Sequence, residues 1–166
     1  MRRQVARLLR RSTVLQRLVG RAAPPGRPPA FPAGTTDPAG ALLPVVVFVA
    51  LGVPTDALTA AAATIGRLQH RDGVAFRAFF VCDGAPFPAL RGTSYPCEVL
   101  VSAGDWERLD LGEPWDVYVA ARISAVRSTY RACGVLPVPV PAWSADSEPA
   151  VAAVLRSMLG GFRAGA

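Results

Sequence analysis

The chain's 166 residues, 51% of them apolar, suffice for one domain with a packed core and exclude general disorder. The net charge of +6 is carried unevenly: residues 1–27 hold eight arginines and no acid, while the other ten arginines face all twelve acids. The remainder is therefore slightly acidic, which argues against a nucleic-acid-binding domain, since such a domain carries its basic stripe on the fold itself.

Residues 1–22 form an Arg-rich segment in which 3–21 read as an amphipathic helix. Val5, Leu8, Leu9, Leu15, Leu18 and Val19 recur near helical spacing, and the arginines take the other positions. Such a helix suits an anionic membrane surface, contacted through Arg3, Arg7, Arg10, Arg11 and Arg17. It equally suits docking on a protein partner or on its own domain. Arg10-Arg11 does not open an export signal, because Gln16, Arg17 and Arg21 interrupt the apolar stretch that would have to follow. Prolines 24, 25, 28, 29, 32 and 38 make residues 23–40 an extended linker, each fixing φ and removing a backbone donor.

Residues 41–166 read as the folded domain. The β-branched run at 44–49 is apolar on both faces, as a buried parallel strand requires. Together with its flanks it is still too short to span a bilayer. It runs into Gly52-Val53-Pro54-Thr55, a tight turn where Thr55 or Asp56 can cap a helix. Leu58, Ala61, Ala62, Ile65 and Leu68 mark that helix's core face, and Arg71-Asp72-Gly73 ends it. A second strand at 76–82 leads into Asp83-Gly84. A Pro-rich crossover containing Phe87, Leu90 and Arg91 then reaches a third strand at 97–101.

Residues 104–114 read as a polar loop, and 115–130 as a helix turning Val119, Ile123, Val126 and Tyr130 to the core. A fourth strand at 134–140 is confined to a sheet edge by Pro137 and Pro139. The last helix is capped by Ser147 or Asp146 and carries Glu148 and Pro149 in its first turn. Val151, Val154, Leu155, Met158, Leu159 and Phe162 form its stripe, and Gly160-Gly161 fray its end. The alternation predicts an α/β fold. It is a small Rossmann-like parallel sheet of about four strands, ordered 3-2-1-4, with flanking helices and right-handed crossovers.

In such sheets ligands bind beyond the carboxyl ends of the strands, near the switch in strand order. That rule nominates Gly52 and Thr55 after the first strand, Asp83 after the second and Asp105 after the third. Asp83 stands where an acid can meet a ribose hydroxyl, or can simply make the Asp-Gly turn. The first turn holds one glycine, and Pro54 removes an amide donor. The Gly-x-Gly-x-x-Gly cradle is missing, so no nicotinamide or flavin cofactor is implied. Trp115, Tyr118 and Arg122 share one helix face, suited either to stacking on a ligand or to core packing with a snorkelling arginine. His70 reads as a surface residue near a helix end.

Catalytic constellations are missing. The single histidine, His70, precedes most of the chain, which removes a serine triad and a paired cysteine nucleophile, and the lack of lysine removes a P-loop. Cys82, Cys97 and Cys133 show no C-x-x-C spacing, so no metal is expected. They read as reduced, largely buried thiols of a cytosolic protein.

The Val-rich first strand is followed by Phe76-Arg77-Ala78-Phe79-Phe80-Val81-Cys82-Asp83, Phe87, Leu90-Arg91, Tyr95 and Cys97-Glu98-Val99-Leu100. Next come Asp105-Trp106-Glu107-Arg108, Trp115-Asp116-Val117-Tyr118, Arg122-Ile123 and Tyr130. Together, over residues 45–135, they resemble the N-terminal region of bacterial, chiefly actinobacterial, sugar-transferase proteins of surface-polysaccharide biosynthesis. The resemblance implies a Rossmann-like domain that, in the family, packs against a second domain binding most of the sugar nucleotide. No counterpart of that second domain is present in these residues, and no catalytic residue carries over. The implied role is an accessory, non-catalytic domain of envelope-polysaccharide synthesis, cytoplasmic and peripheral on the inner face of the membrane. Two alternatives are half of a glycosyltransferase completed by a partner chain, and a nucleotide or small-molecule sensor with its ligand at the Gly52/Asp83 edge.

Overall fold

The computed structural model describes residues 43–71 and 74–163. The Arg-rich helix expected within 1–22, including Arg3, Arg7, Arg10, Arg11 and Arg17, and the linker of 23–40 lie outside the described residues. The β-branched run forms β1 (Val45–Ala50), and every residue of it is buried. It pairs in parallel with β2 (Arg77–Asp83) on one side, Val45 opposite Arg77, and with β4 (Gly134–Pro137) on the other. β3 (Cys97–Leu100) lies in parallel beyond β2, so the sheet has four parallel strands in the order β3-β2-β1-β4. The predicted topology is the observed one. Pro137 ends the edge strand β4, and the Val49 carbonyl opposite it is taken by the Val138 N–H at 2.8 Å, so the missing donor leaves that acceptor filled.

Alternation along β1 divides the core into two layers. Val46, Phe48 and Ala50 pack with Leu58, Ile65 and Leu68 of α1 (Thr55–Arg71) and Leu155 of α5 (Glu148–Arg163). Val45, Val47 and Val49 pack with Val119, Ile123 and Val126 of α4 (Trp115–Tyr130). Helices on both faces explain why β1 is apolar on both sides. Phe48 is the centre of the first layer, its ring 6.0 Å from Phe76, 5.6 Å from Phe80 and 6.0 Å from Trp143. Arg67 Nε donates to Glu148 Oε1 at 2.9 Å and so ties α1 to α5.

Four local expectations are corrected. Residues 104–114 are not loop throughout, because α3 (Ala103–Leu109) occupies most of them, after the short α2 (Phe87–Leu90) of the crossover. Ser102 starts α3 by accepting the Asp105 N–H at 3.2 Å and donating its hydroxyl to Asp105 Oδ2 at 2.8 Å. Trp106 then anchors the helix, buried and stacked on Tyr118 at 4.1 Å. Ser147 does not cap α5. It lies in the 3-10 turn Ala145–Ser147 ahead of it and donates its hydroxyl back to Ser144 at 2.7 Å. Tyr130, expected in the core, is 37% exposed, since it ends α4 over the sheet's rim with its ring 4.4 Å from Phe79. α1 begins at Thr55 itself, its first turn closed by the Leu58 N–H on the Pro54 carbonyl, so Thr55 and Asp56 lie inside the helix.

Candidate functional site

Because all the strands are parallel, the loops after β1, β2 and β3 emerge at one edge, and this edge carries Gly52, Thr55, Asp83 and Asp105. Gly52 adopts φ +64°, a conformation that glycine takes without a Cβ penalty, and its N–H donates to Asp83 Oδ1 at 2.7 Å. Asp83 thus stitches the carboxyl ends of β1 and β2 together. It also occupies the amide that a phosphate would need. Its second oxygen has no partner among the described residues and remains an acceptor at this edge. Thr55 is exposed, and its carbonyl takes the Thr59 hydroxyl at 2.8 Å.

Asp105 is committed to its own helix. Oδ2 accepts from Ser102, and Oδ1 accepts from the Arg108 guanidinium at 2.7 Å. The structure brings Gly52 and Asp83 into contact, and gives Thr55 and Asp105 roles in helix starts. The aromatic face proposed for stacking is likewise taken up by the fold. Trp115 Nε1 donates to the Val101 carbonyl at 3.0 Å, Tyr118 stacks on Trp106, and Arg122 Nε donates to Glu98 at 2.7 Å. Among the described residues no cluster of His, Cys, Asp and Glu could hold a metal ion. No family model, curated protein or solved structure matches the chain.

The cysteines are free, and their environment works against thiolate chemistry. Burial first, then Cys97 and Asp83 nearby, push the Cys82 thiol from 9.0 up to about 12. Burial also raises Cys97 and Cys133, the latter offset in part by a backbone hydrogen bond. Cys133 donates its S–H to the Val45 carbonyl at 3.2 Å. A nucleophilic cysteine needs a lowered pKa, and each of these moves the other way.

At the opposite, amino-terminal edge lies a feature that sequence reasoning missed. A cavity of about 1020 Å³ is bounded by the starts of β1 and β2, the second half of α1 and the connection at 91–96. Arg77, Arg91, Gln69, His70 and Tyr95 line it. The Tyr95 hydroxyl donates to Gln69 Oε1 at 2.7 Å, and Gln69 Nε2 donates to the Phe76 carbonyl at 2.9 Å. Arg77 Nε donates to the Leu43 carbonyl at 3.3 Å. The available signal was Arg77 itself, a charge that opens a strand otherwise apolar as far as Asp83. His70 is exposed near the end of α1, as expected.

Proposed function

We propose that this chain supplies an accessory α/β domain that holds other components in place, without chemistry of its own, in bacterial envelope-polysaccharide synthesis. The observation that carries the non-catalytic reading is the use of the carboxyl-edge acids. Asp105 has both oxygens occupied by its own chain, and Asp83 is oriented by the Gly52 N–H with only Oδ2 left as an acceptor and no base or acid partner beside it among the described residues. The polysaccharide setting rests on the resemblance of residues 45–135 to the sugar-transferase N-terminal region.

Attachment at the cytoplasmic face of the membrane rests on the eight arginines of residues 1–27, each contributing about 1 kcal/mol near anionic lipid. No helix among the described residues is long and apolar enough to cross a membrane. Isothermal titration of the full chain with nucleotide sugars tests the reading, and no heat is expected. Saturable heat that Asp83→Ala abolishes would replace it with a ligand-sensing domain. Heat only beside a partner chain would replace it with half of a two-chain transferase.

A further inference from the structure

The corner between α3 and α4 presents apolar and acidic side chains together. Leu109, Leu111 and Val117 are 56%, 49% and 48% exposed, and every residue of 107–114 is exposed. The corner is nonetheless held firmly. Asp110 ends α3 in the left-handed conformation at φ 45°, the Trp106 indole donates to the Glu113 carbonyl at 2.8 Å, and the Trp106 ring stacks on Tyr118 at 4.1 Å. A single exposed leucine is ordinary, but three large apolar side chains within residues 109–117, on a fixed support, mark a surface that another element covers. Around them stand Asp105, Glu107, Asp110, Glu113 and Asp116, five of the chain's twelve acids. The one cation in this stretch, Arg108, is already paired with Asp105.

The complementary surface is carried by the same chain. Residues 1–27 hold eight arginines and no acid, and 3–21 combine those arginines with an apolar stripe at helical spacing. Residues 23–40, extended at about 3.1 Å per residue, reach about 55 Å. A domain of this size has a radius of gyration of about 14 Å, so the segment can pass from Leu43 at the amino edge to the corner at the carboxyl edge. We propose that residues 1–22 dock on the α3–α4 corner of their own chain. The apolar stripe covers Leu109, Leu111 and Val117, and the arginines lie beside Glu107, Asp110 and Glu113. Anionic lipid would compete for the same arginines and the same stripe, so the corner holds the arm back from a membrane until lipid displaces it. That competition rests on the membrane attachment proposed above, whereas the docking does not.

Limited trypsin digestion of the full chain reads the docking, with cleavage after Arg7, Arg10, Arg11 and Arg17 followed by mass spectrometry. Leu109→Ser/Leu111→Ser should speed that cleavage about tenfold or more by raising the population of the undocked arm. Glu107→Gln/Asp110→Asn/Glu113→Gln should act in the same direction. Both variants should keep the parent's Tm, because all five side chains are exposed. Equal cleavage rates in the parent and both variants overturn the proposal. Protection that fades on dilution overturns the same-chain assignment and gives the corner to the arm of a second copy. Phosphatidylserine vesicles should sediment Leu109→Ser/Leu111→Ser more strongly than the parent, and equal sedimentation overturns the competition. If neither chain binds vesicles while the parent alone resists trypsin, the membrane reading fails and the docking stands.

Discussion

Asp83 joins two roles in one side chain, and substitution separates them. The Gly52 N–H bond to Oδ1 closes the first turn, but that amide is near solvent and water can replace the carboxylate. Asp83→Ala should therefore cost only about 0.5–1.5 kcal/mol, the net worth of one such bond, and Asp83→Asn, which keeps the acceptor, should cost less. Denaturant midpoints of the three proteins measure this ordering. If Asn were as damaging as Ala, the staple would not be the role of Asp83. Cys82 gives the second test at this scale. Its thiol, 1% exposed, is raised from 9.0 to about 12, so folding favours the protonated form. That contribution is complete below pH 9 and is lost as pH rises toward 12, because the unfolded chain releases the proton first. Stability should fall across this window by at most about 1.4 kcal/mol per pH unit, and Cys82→Ala should flatten the fall. Tyr95, Cys97 and Cys133 are raised as well and leave a residual slope. An equally steep loss in Cys82→Ala would show that burial of this thiol is not its cause.

At the scale of elements, packing over β4 depends on an absent side chain. A Cβ on Gly134 would run into Met158 Sδ, so the flexible Met158 side chain must turn aside to admit it. Gly134→Ala should destabilise the domain by about 1 kcal/mol, the low end of the cost of overpacking. In a Met158→Ala background the penalty should shrink, since the colliding atom is gone, and a double-mutant cycle by thermal or urea unfolding reads the coupling. Additive effects would mean that the two positions do not meet. The strands and long helices were legible because Val45–Ala50 is apolar at every position, and because Leu58, Ala61, Ala62, Ile65 and Leu68 keep a helical period. α3 was not, because its seven residues include one buried anchor, Trp106, and show no period. Its signal was the Ser102-x-x-Asp105 spacing, in which the serine oxygen accepts the third amide onward. The start of α5 was misjudged by a similar margin, since a 3-10 turn takes Ser147 away from the helix end.

For the whole molecule, the parallel sheet made one edge legible and hid the other. The carboxyl ends of parallel strands can be counted off a sequence, which is how Gly52 and Asp83 came to be paired. The amino-edge cavity draws Gln69, Arg77, Arg91 and Tyr95 from separate elements, and no spacing along the chain announces that they meet. Leu43, the first described residue, also lines this cavity. Arginines acting through surface potential respond to any anionic lipid and lose their effect when salt shortens the screening length, to about 3 Å at 1 M. Full chains carrying Arg→Gln at Arg3, Arg7, Arg10, Arg11 and Arg17 should therefore lose most of their sedimentation with phosphatidylserine vesicles at low salt, while Arg91→Gln should retain it. If the fivefold substitution leaves phosphatidylserine binding unchanged, residues 1–27 are not a membrane arm, and docking on a protein or on the domain itself becomes their role.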